Sequence, residues 1–204
     1  MKEIILIGMG GHSKVVKDII ELNGEFKVVG YLDDKFHEKS VSDGIIYDNL
    51  NSYRNYKEKY FIITIGNNKI RKQIFEKLEL PLSKYPKFIH PSAVIGSNVK
   101  IGYGTVVMAN VVVNANTNVG NFCILNTMAS IGHDVLIKDF AHISPNSTLT
   151  GGVQVGMATQ IGAGSTVTPK VIIGDSTLVG AGSTVISNIS NNMTVFGTPA
   201  KPKE

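Results

Sequence analysis

Two histidines, His133 and His142, stand in a stretch of chain whose other side chains are mostly small, aliphatic or amide. An imidazole titrates near neutral pH and is the natural group to take a proton from an attacking nucleophile. Asp134 follows His133, and a carboxylate beside an imidazole can fix its tautomer and raise its basicity. Adjacent residues of a strand face opposite ways, so Asp134 orients His133 only if the backbone turns between them; otherwise it is a solvated charge. A second chemistry sits near the N-terminus in Gly8-Met9-Gly10-Gly11-His12-Ser13. Glycines at such a turn let an anionic group approach backbone N–H groups at a helix start. Asp33-Asp34 offers carboxylates to a nucleoside, and Gly66-Asn67-Asn68 adds amides. His12 can cap the helix or touch a substrate. No cluster has metal-ligand spacing, and no Gly-x-Ser-x-Gly elbow supplies a serine nucleophile, so direct transfer without a covalent enzyme intermediate is expected.

The elements that must hold these residues differ between the two halves. In the first, Ile4 to Ile7 predicts a buried strand, and Lys14 to Leu22 a helix with Val15, Val16, Ile19 and Ile20 inward. Lys27 to Leu32 and Tyr60 to Ile65 predict further strands, and Asn67 to Leu78 a helix with Ile70, Ile74 and Leu78 on one face. Strands alternating with helices favour a small parallel α/β sheet. The Gly-rich turn starts like a dinucleotide fingerprint but has Ser13 where the third glycine belongs.

In the second half an aliphatic residue recurs at every sixth position from Ile95 to Val185. Gly often follows it, as at Gly96, Gly102 and Gly132, and a small or β-branched residue stands four positions on, as at Thr105, Thr117, Cys123 and Ala129. A period of six fits neither a helix nor a plain alternating strand, but it fits short strands joined by turns into a coil. The small residues would let the chain round each corner, with Gly supplying positive φ or close approach. Cys123 then reads as a small buried residue, and a lone cysteine excludes an internal disulfide.

The hexads resemble those of the left-handed parallel β-helix acyltransferases. With Gly8-Met9-Gly10-Gly11-His12, Tyr31-Leu32-Asp33-Asp34 and Ile65-Gly66-Asn67-Asn68-Lys69-Ile70-Arg71 ahead of them, the whole chain is similar to the sugar acetyltransferases with an N-terminal nucleotide-sugar domain. The nearest groups are the N-acetyltransferases of UDP-linked 4-amino-4,6-dideoxy sugars, of the bacillosamine type, and the sialic acid O-acetyltransferase-like proteins. The resemblance implies an α/β N-terminal domain with a Rossmann-like parallel sheet over 1–89, then a left-handed β-helix with a capping tail over 90–204. It implies acetyl-CoA as co-substrate, a UDP-linked amino sugar as acceptor, and a homotrimer with the coenzyme between neighbouring solenoids. Gly10, Gly11 and His12 would lie along the sugar and phosphates, with Asp33 and Asp34 on the uracil and Gly66 beside them. His133 matches the family's general base. Asp134 replaces the family's Glu, which leaves its orienting role open. His142 would meet the acetyl end of the coenzyme, and Gly151, Ala163 and Ala181 its arm. Asn126 matches an asparagine near the sugar, or simply stacks in an amide ladder between coils.

Twenty basic against sixteen acidic residues give a net charge of +4. The lysines form no basic block with interleaved aromatics, so no nucleic-acid partner is expected. The first apolar run is too short for a signal peptide and no stretch is long enough to insert in a bilayer, which favours the cytoplasm. Sugar O-acetylation and a non-catalytic β-helix scaffold are the alternatives, since one fold serves several functions.

Overall fold

The computed structural model describes residues 1–203. Its N-terminal part is a five-stranded sheet built from β1 (Lys2–Ile7), β2 (Phe26–Leu32), β3 (Ser40–Ser42), β4 (Ile45–Asp48) and β5 (Tyr60–Ile63), in the order β3-β4-β2-β1-β5. All pairs are parallel except β3 with β4. Strand β1, flanked by β2 and β5, is covered on both faces, which is why Ile4, Ile5, Leu6 and Ile7 form an unbroken apolar run.

Helix α1 spans Gly11–Asn23. It begins three residues before the expected Lys14, so Gly11, His12 and Ser13 form its first turn instead of a loop ahead of it. It ends at Gly24, whose φ of 69° lets its N–H reach Ile20 O. Val16, Ile19 and Ile20 are buried, but Val15 is not: those three complete the inward stripe and Val15 falls beside it. Helix α2 (Asn68–Leu78) is capped by the Asn67 side chain, which accepts from Ile70 N–H. Ile74 and Leu78 point inward, whereas Ile70 leaves the expected apolar face and borders a cleft with Asp33 and Asp34. Strand β5 stops at Ile63 because Thr64 Oγ1 turns to donate to the carbonyls of Ile7 and Gly8.

From Phe88–Ile89 onward the chain winds through two-residue strands separated by bends. They stack into three parallel sheets of the left-handed β-helix, each strand pairing with the one eighteen residues on, as Val113 with Ile131 and Leu125 with Ile143. The first face carries Val112–Val113, Ser130–Ile131 and Thr148–Leu149, the second Asn118–Val119 and Leu136–Ile137, and the third Ile124–Leu125 and His142–Ile143. The repeating aliphatic residues from Val107 to Val185 fill the axis and are buried. Ile95, with no coil above it, stays 36% exposed.

The glycines and corners divide their work differently from expectation. Positive φ falls on the third residue after each aliphatic one from Ile95 to Val179, at Asn98, Asn116, Phe122, Asp134, Phe140 and others, and most of these are not glycine. Gly after the aliphatic residue is needed for close approach instead. A Cβ at Gly156 would sit 2.4 Å from Asp175 N, and one at Gly132 2.8 Å from Gly151 N. The buried small residues also brace the stack: Thr117 Oγ1 donates to Gly132 O and accepts from Val135 N–H. Cys123 is fully buried, and burial pushes its thiol up to about 12.

Two aromatic corners join the halves. Phe122 and Phe140 lie parallel at 5.2 Å on successive coils and meet Phe75 of α2 and the buried Tyr85. This places the Gly66 turn and the N-terminus of α2 against the third face.

Candidate active site

The Gly-rich turn, the end of β2 and the Gly66 turn enclose an open cleft of about 400 Å³ lined by Gly8, Gly10, Gly11, His12, Asp33 and Gly66. These elements meet because the carboxyl ends of parallel strands open toward helix N-termini. No side chain caps the start of α1 at Gly10, and an uncapped helix start is suited to an anion. Asp33 braces this turn: its carboxylate accepts from Met9 N–H at 2.7 Å and from Lys35 N–H at 3.1 Å, and Lys35 Nζ donates to Met9 O. Asp34 is exposed beside it.

At the back of the cleft stand three side chains from distant parts of the chain, the buried Arg71 and the half-buried His12 and His142. Arg71 is 1% exposed and donates to the carbonyls of Ile65, Gly66, Phe122 and Phe140 and to Asn68 Oδ1. It thereby ties the Gly66 turn to two coils. Burial draws its pKa down to about 10, so it stays charged at neutral pH. Burial, and then the Arg71 charge, lower both imidazoles to about 4; for His142 the charge of His12 adds to this, and the Gly66 backbone opposes it. His142 Nε2 lies 3.1 Å from Asn126 Nδ2, and the neutral ring accepts that amide. His12 Nε2 is buried with no protein partner.

The sign of the resulting pH dependence is fixed. Both histidines have folded pKa values below the unfolded 6.5. The unfolded chain therefore binds more protons between about pH 4 and pH 6.5, and stability falls as pH drops through that window. Urea unfolding should show a loss of roughly 2–3 kcal/mol per histidine on passing from pH 7 to pH 4. His142→Gln should remove about half of that slope; an unchanged slope would contradict a neutral buried His142.

His133 sits elsewhere, on the corner between the first and second faces. Its Nδ1 is 2.7 Å from Asp134 Oδ2. The φ of 57° at Asp134 is the backbone turn that brings two sequence neighbours to the same side. His133 hydrogen-bonding, and then the Asn116 amide, hold the Asp134 carboxyl below its ordinary range. An ionised carboxylate only accepts, so Nδ1 carries the proton and Nε2 keeps its lone pair. The His133 ring lies over Gly151: a Cβ there would come within 2.6 Å of Nε2. Gly151 thus gives the imidazole its place.

Ala163 and Ala181 occupy a third corner, one coil apart, with Gly182 N–H donating to Ala163 O. Both are exposed and adjoin the face that carries His142. Within one chain, then, His133 and Gly151 share one corner, while His142, Asn126, His12 and Gly66 gather at the third face. The expectation that the two histidines are not neighbours in one subunit agrees with this topology. Sequence reasoning gave Arg71 no role of its own, because an arginine beside a lysine on a helix reads as solvated. Among the described residues no group of three His, Cys, Asp or Glu side chains could hold a metal, and no helix is long and apolar enough to cross a membrane.

Residues 3–78 match the family model described as the PglD N-terminal domain. The UDP-N-acetylbacillosamine N-acetyltransferase of Bacillus subtilis is 38% identical over 113 residues, which span 53% of this chain and only 52% of that relative. Solved structures align over nearly their full length. A histidine-to-asparagine mutant of perosamine N-acetyltransferase from Caulobacter crescentus, in complex with CoA and GDP-perosamine, is 32% identical with a TM-score of 0.89, covering 100% of this chain and 98% of that one. The acetyltransferase domain of PglB from Neisseria gonorrhoeae, in complex with acetyl coenzyme A, is 35% identical with a TM-score of 0.88, covering 99% of each chain. With this fold, this cleft and these relatives, the chain belongs to the PglD/PerB-type family of acetyl-CoA-dependent sugar N-acetyltransferases.

Proposed function

We propose that the protein transfers the acetyl group of acetyl-CoA to the 4-amino group of a UDP-linked 4-amino-4,6-dideoxy sugar. The observation that carries this reading is the His133–Asp134 pair, which leaves Nε2 as a free base on the surface of the solenoid. The neutral amine attacks the thioester carbonyl carbon and forms the C–N bond, and His133 Nε2 takes the ammonium proton. The tetrahedral intermediate collapses with cleavage of the C–S bond, and the proton passes to the departing thiolate to give CoA and the amide. Asp134 holds the imidazole and balances its charge while it is protonated. No covalent enzyme intermediate is needed.

The nucleotide phosphates lie at the uncapped start of α1 along Gly10 and Gly11. Asp34 and Gly66 meet the uracil side, with Asp33 acting mainly through the turn it braces. His12 Nε2, buried without a protein partner, is supplied with one by the sugar. His142, with Asn126 on one nitrogen, bounds the acetyl end, and Ala163 and Ala181 leave room for the pantetheine arm. His133 and His142 lie on different edges of one solenoid, so a complete site takes His133 and Gly151 from one subunit and the third-face residues from its neighbour. A homotrimer of parallel solenoids in the cytoplasm meets that need.

Thiol release from acetyl-CoA should be at least tenfold faster with the UDP-linked 4-amino acceptor than with its GDP-linked counterpart, because polar groups that pair with uracil are left unpaired by guanine. Equal rates would mean that the phosphates carry nucleotide binding and the base is not selected, and no release with either would remove the N-acetyltransfer reading.

A further inference from the structure

One corner of the solenoid carries Asn98, Asn116 and Asp134 at intervals of eighteen residues, all in the left-handed region with φ of 58°, 61° and 57°. Asn98 Nδ2 donates to Asn116 Oδ1 at 3.2 Å, and Asn116 Nδ2 donates to Asp134 Oδ1 at 3.2 Å. The other carboxylate oxygen, Oδ2, is the one that accepts from His133 Nδ1. The four side chains form one continuous line from the top coil to the imidazole.

The direction of that line is dictated by chemistry. An ionised Asp134 has only acceptor sites, so Asn116 must present its NH₂ downward. Its carbonyl then faces the coil above and requires a donor, which the NH₂ of Asn98 provides. Asparagine meets two demands at once, since it tolerates the left-handed corner and carries a donor and an acceptor on a short arm. The next two corners of the column are Gly152 and Lys170. The line therefore ends on Asp134, and the carboxylate has an amide on one oxygen and the imidazole on the other.

We propose that Asn116, backed by Asn98, is a positioning residue for acetyl transfer: it anchors Oδ1 of Asp134 so that Oδ2 stays on His133 Nδ1. Asp134 is more than half exposed, and its side chain would otherwise rotate between the imidazole and water. Fixing one oxygen removes that freedom before substrate arrives. The inference rests on His133 being the base, and the experiment separates the two ideas.

The test compares Asn116→Gly, Asn116→Asp, Asn98→Gly and His133→Ala in the full chain with acetyl-CoA and the UDP-linked amino sugar. Glycine and aspartate both accept the left-handed corner, so the coil persists. Asn116→Gly should lower kcat about three- to tenfold, the effect of one charge-assisted hydrogen bond, with both KM values within twofold. Asn116→Asp, isosteric but without a donor and adding a second negative charge, should lower kcat further, and Asn98→Gly should lower it about twofold. Carbon-13 titration of the Asp134 carboxyl should move upward in Asn116→Gly, a change that mere loss of packing would not produce. If His133→Ala is inactive while both Asn116 variants keep kcat within twofold of the parent and the Asp134 titration is unmoved, the ladder has no positioning role. If His133→Ala retains full turnover, the base assignment itself falls.

Discussion

His133→Ala lowers kcat for acetyl transfer by about 10²–10⁴-fold, the usual worth of a positioned general base. The side chain is 69% exposed and packs mainly over Gly151, so its removal leaves the coil and its melting temperature unchanged. The KM for acetyl-CoA should stay within about threefold, because the loss falls on an interaction made in the transition state. Steady-state thiol release and a thermal melt on the same preparation decide the matter. A kcat within tenfold of the parent would mean that the amine loses its proton to water or to another group, and His133 would revert to a surface histidine. Raising the pH should not rescue the variant, since the deficit is a missing base in the transition state and not the ionisation of the acceptor.

Arg71→Met should destabilise the protein by about 4 kcal/mol, the cost of leaving several buried carbonyls without donors. The guanidinium reaches Ile65 and Gly66 on one side and Phe122 and Phe140 on the other, and a thioether matches its bulk but donates nothing. Arg71→Lys should recover only part of the loss, because one ammonium cannot serve a fork of carbonyls set around a planar group. Removing the cation also removes a charge that disfavours protonation of His12 and His142, so the imidazole titrations in the Met variant should move upward from about 4. Urea unfolding gives the first quantity and proton NMR the second. A loss below about 1 kcal/mol would show that water replaces the guanidinium at no great cost, and that the aromatic contacts and the Asn68 hydrogen bonds to Ala158 O and Thr159 O hold the two halves without it.

The solenoid was legible because its axis admits one kind of side chain at a fixed interval, and Val107 through Val185 never break step. The corners were not, because the third residue of each hexad is defined by backbone conformation and tolerates Asn, Asp, Phe, Met and Lys alike. The same reason hid the geometry of His133 and Asp134. Their adjacency was visible in the sequence, but only the left-handed φ at Asp134 turns adjacency into a hydrogen bond. In the first half, the glycine turn and the strand-end Asp33 could be read from type and position. That Asp33 spends both oxygens on the turn depends on where Met9 and Lys35 come to rest. His12, Arg71 and His142 come together from α1, α2 and the third face, and no local pattern links residues so far apart.

The brevity of the strands has a consequence for association. A sheet edge invites foreign strands when it offers a long straight row of unpaired donors and acceptors. At the top of the solenoid Val94–Ile95 and Lys100–Ile101 are edges, and Val94 is 61% exposed. Each offers only two residues before the chain bends at Asn98 or Gly104 into the left-handed region. The remaining edge, Phe88–Ile89, is closed by Asn23 of α1, which donates to Ile89 O. At the other end the closing antiparallel strand, Ala200–Pro202, finishes on a residue with no N–H. An aggregating strand would have to copy a triangular path to gain more than two residues of pairing, so a protein made largely of parallel β-structure, apolar at its tip, is guarded against fibril growth by its own corners.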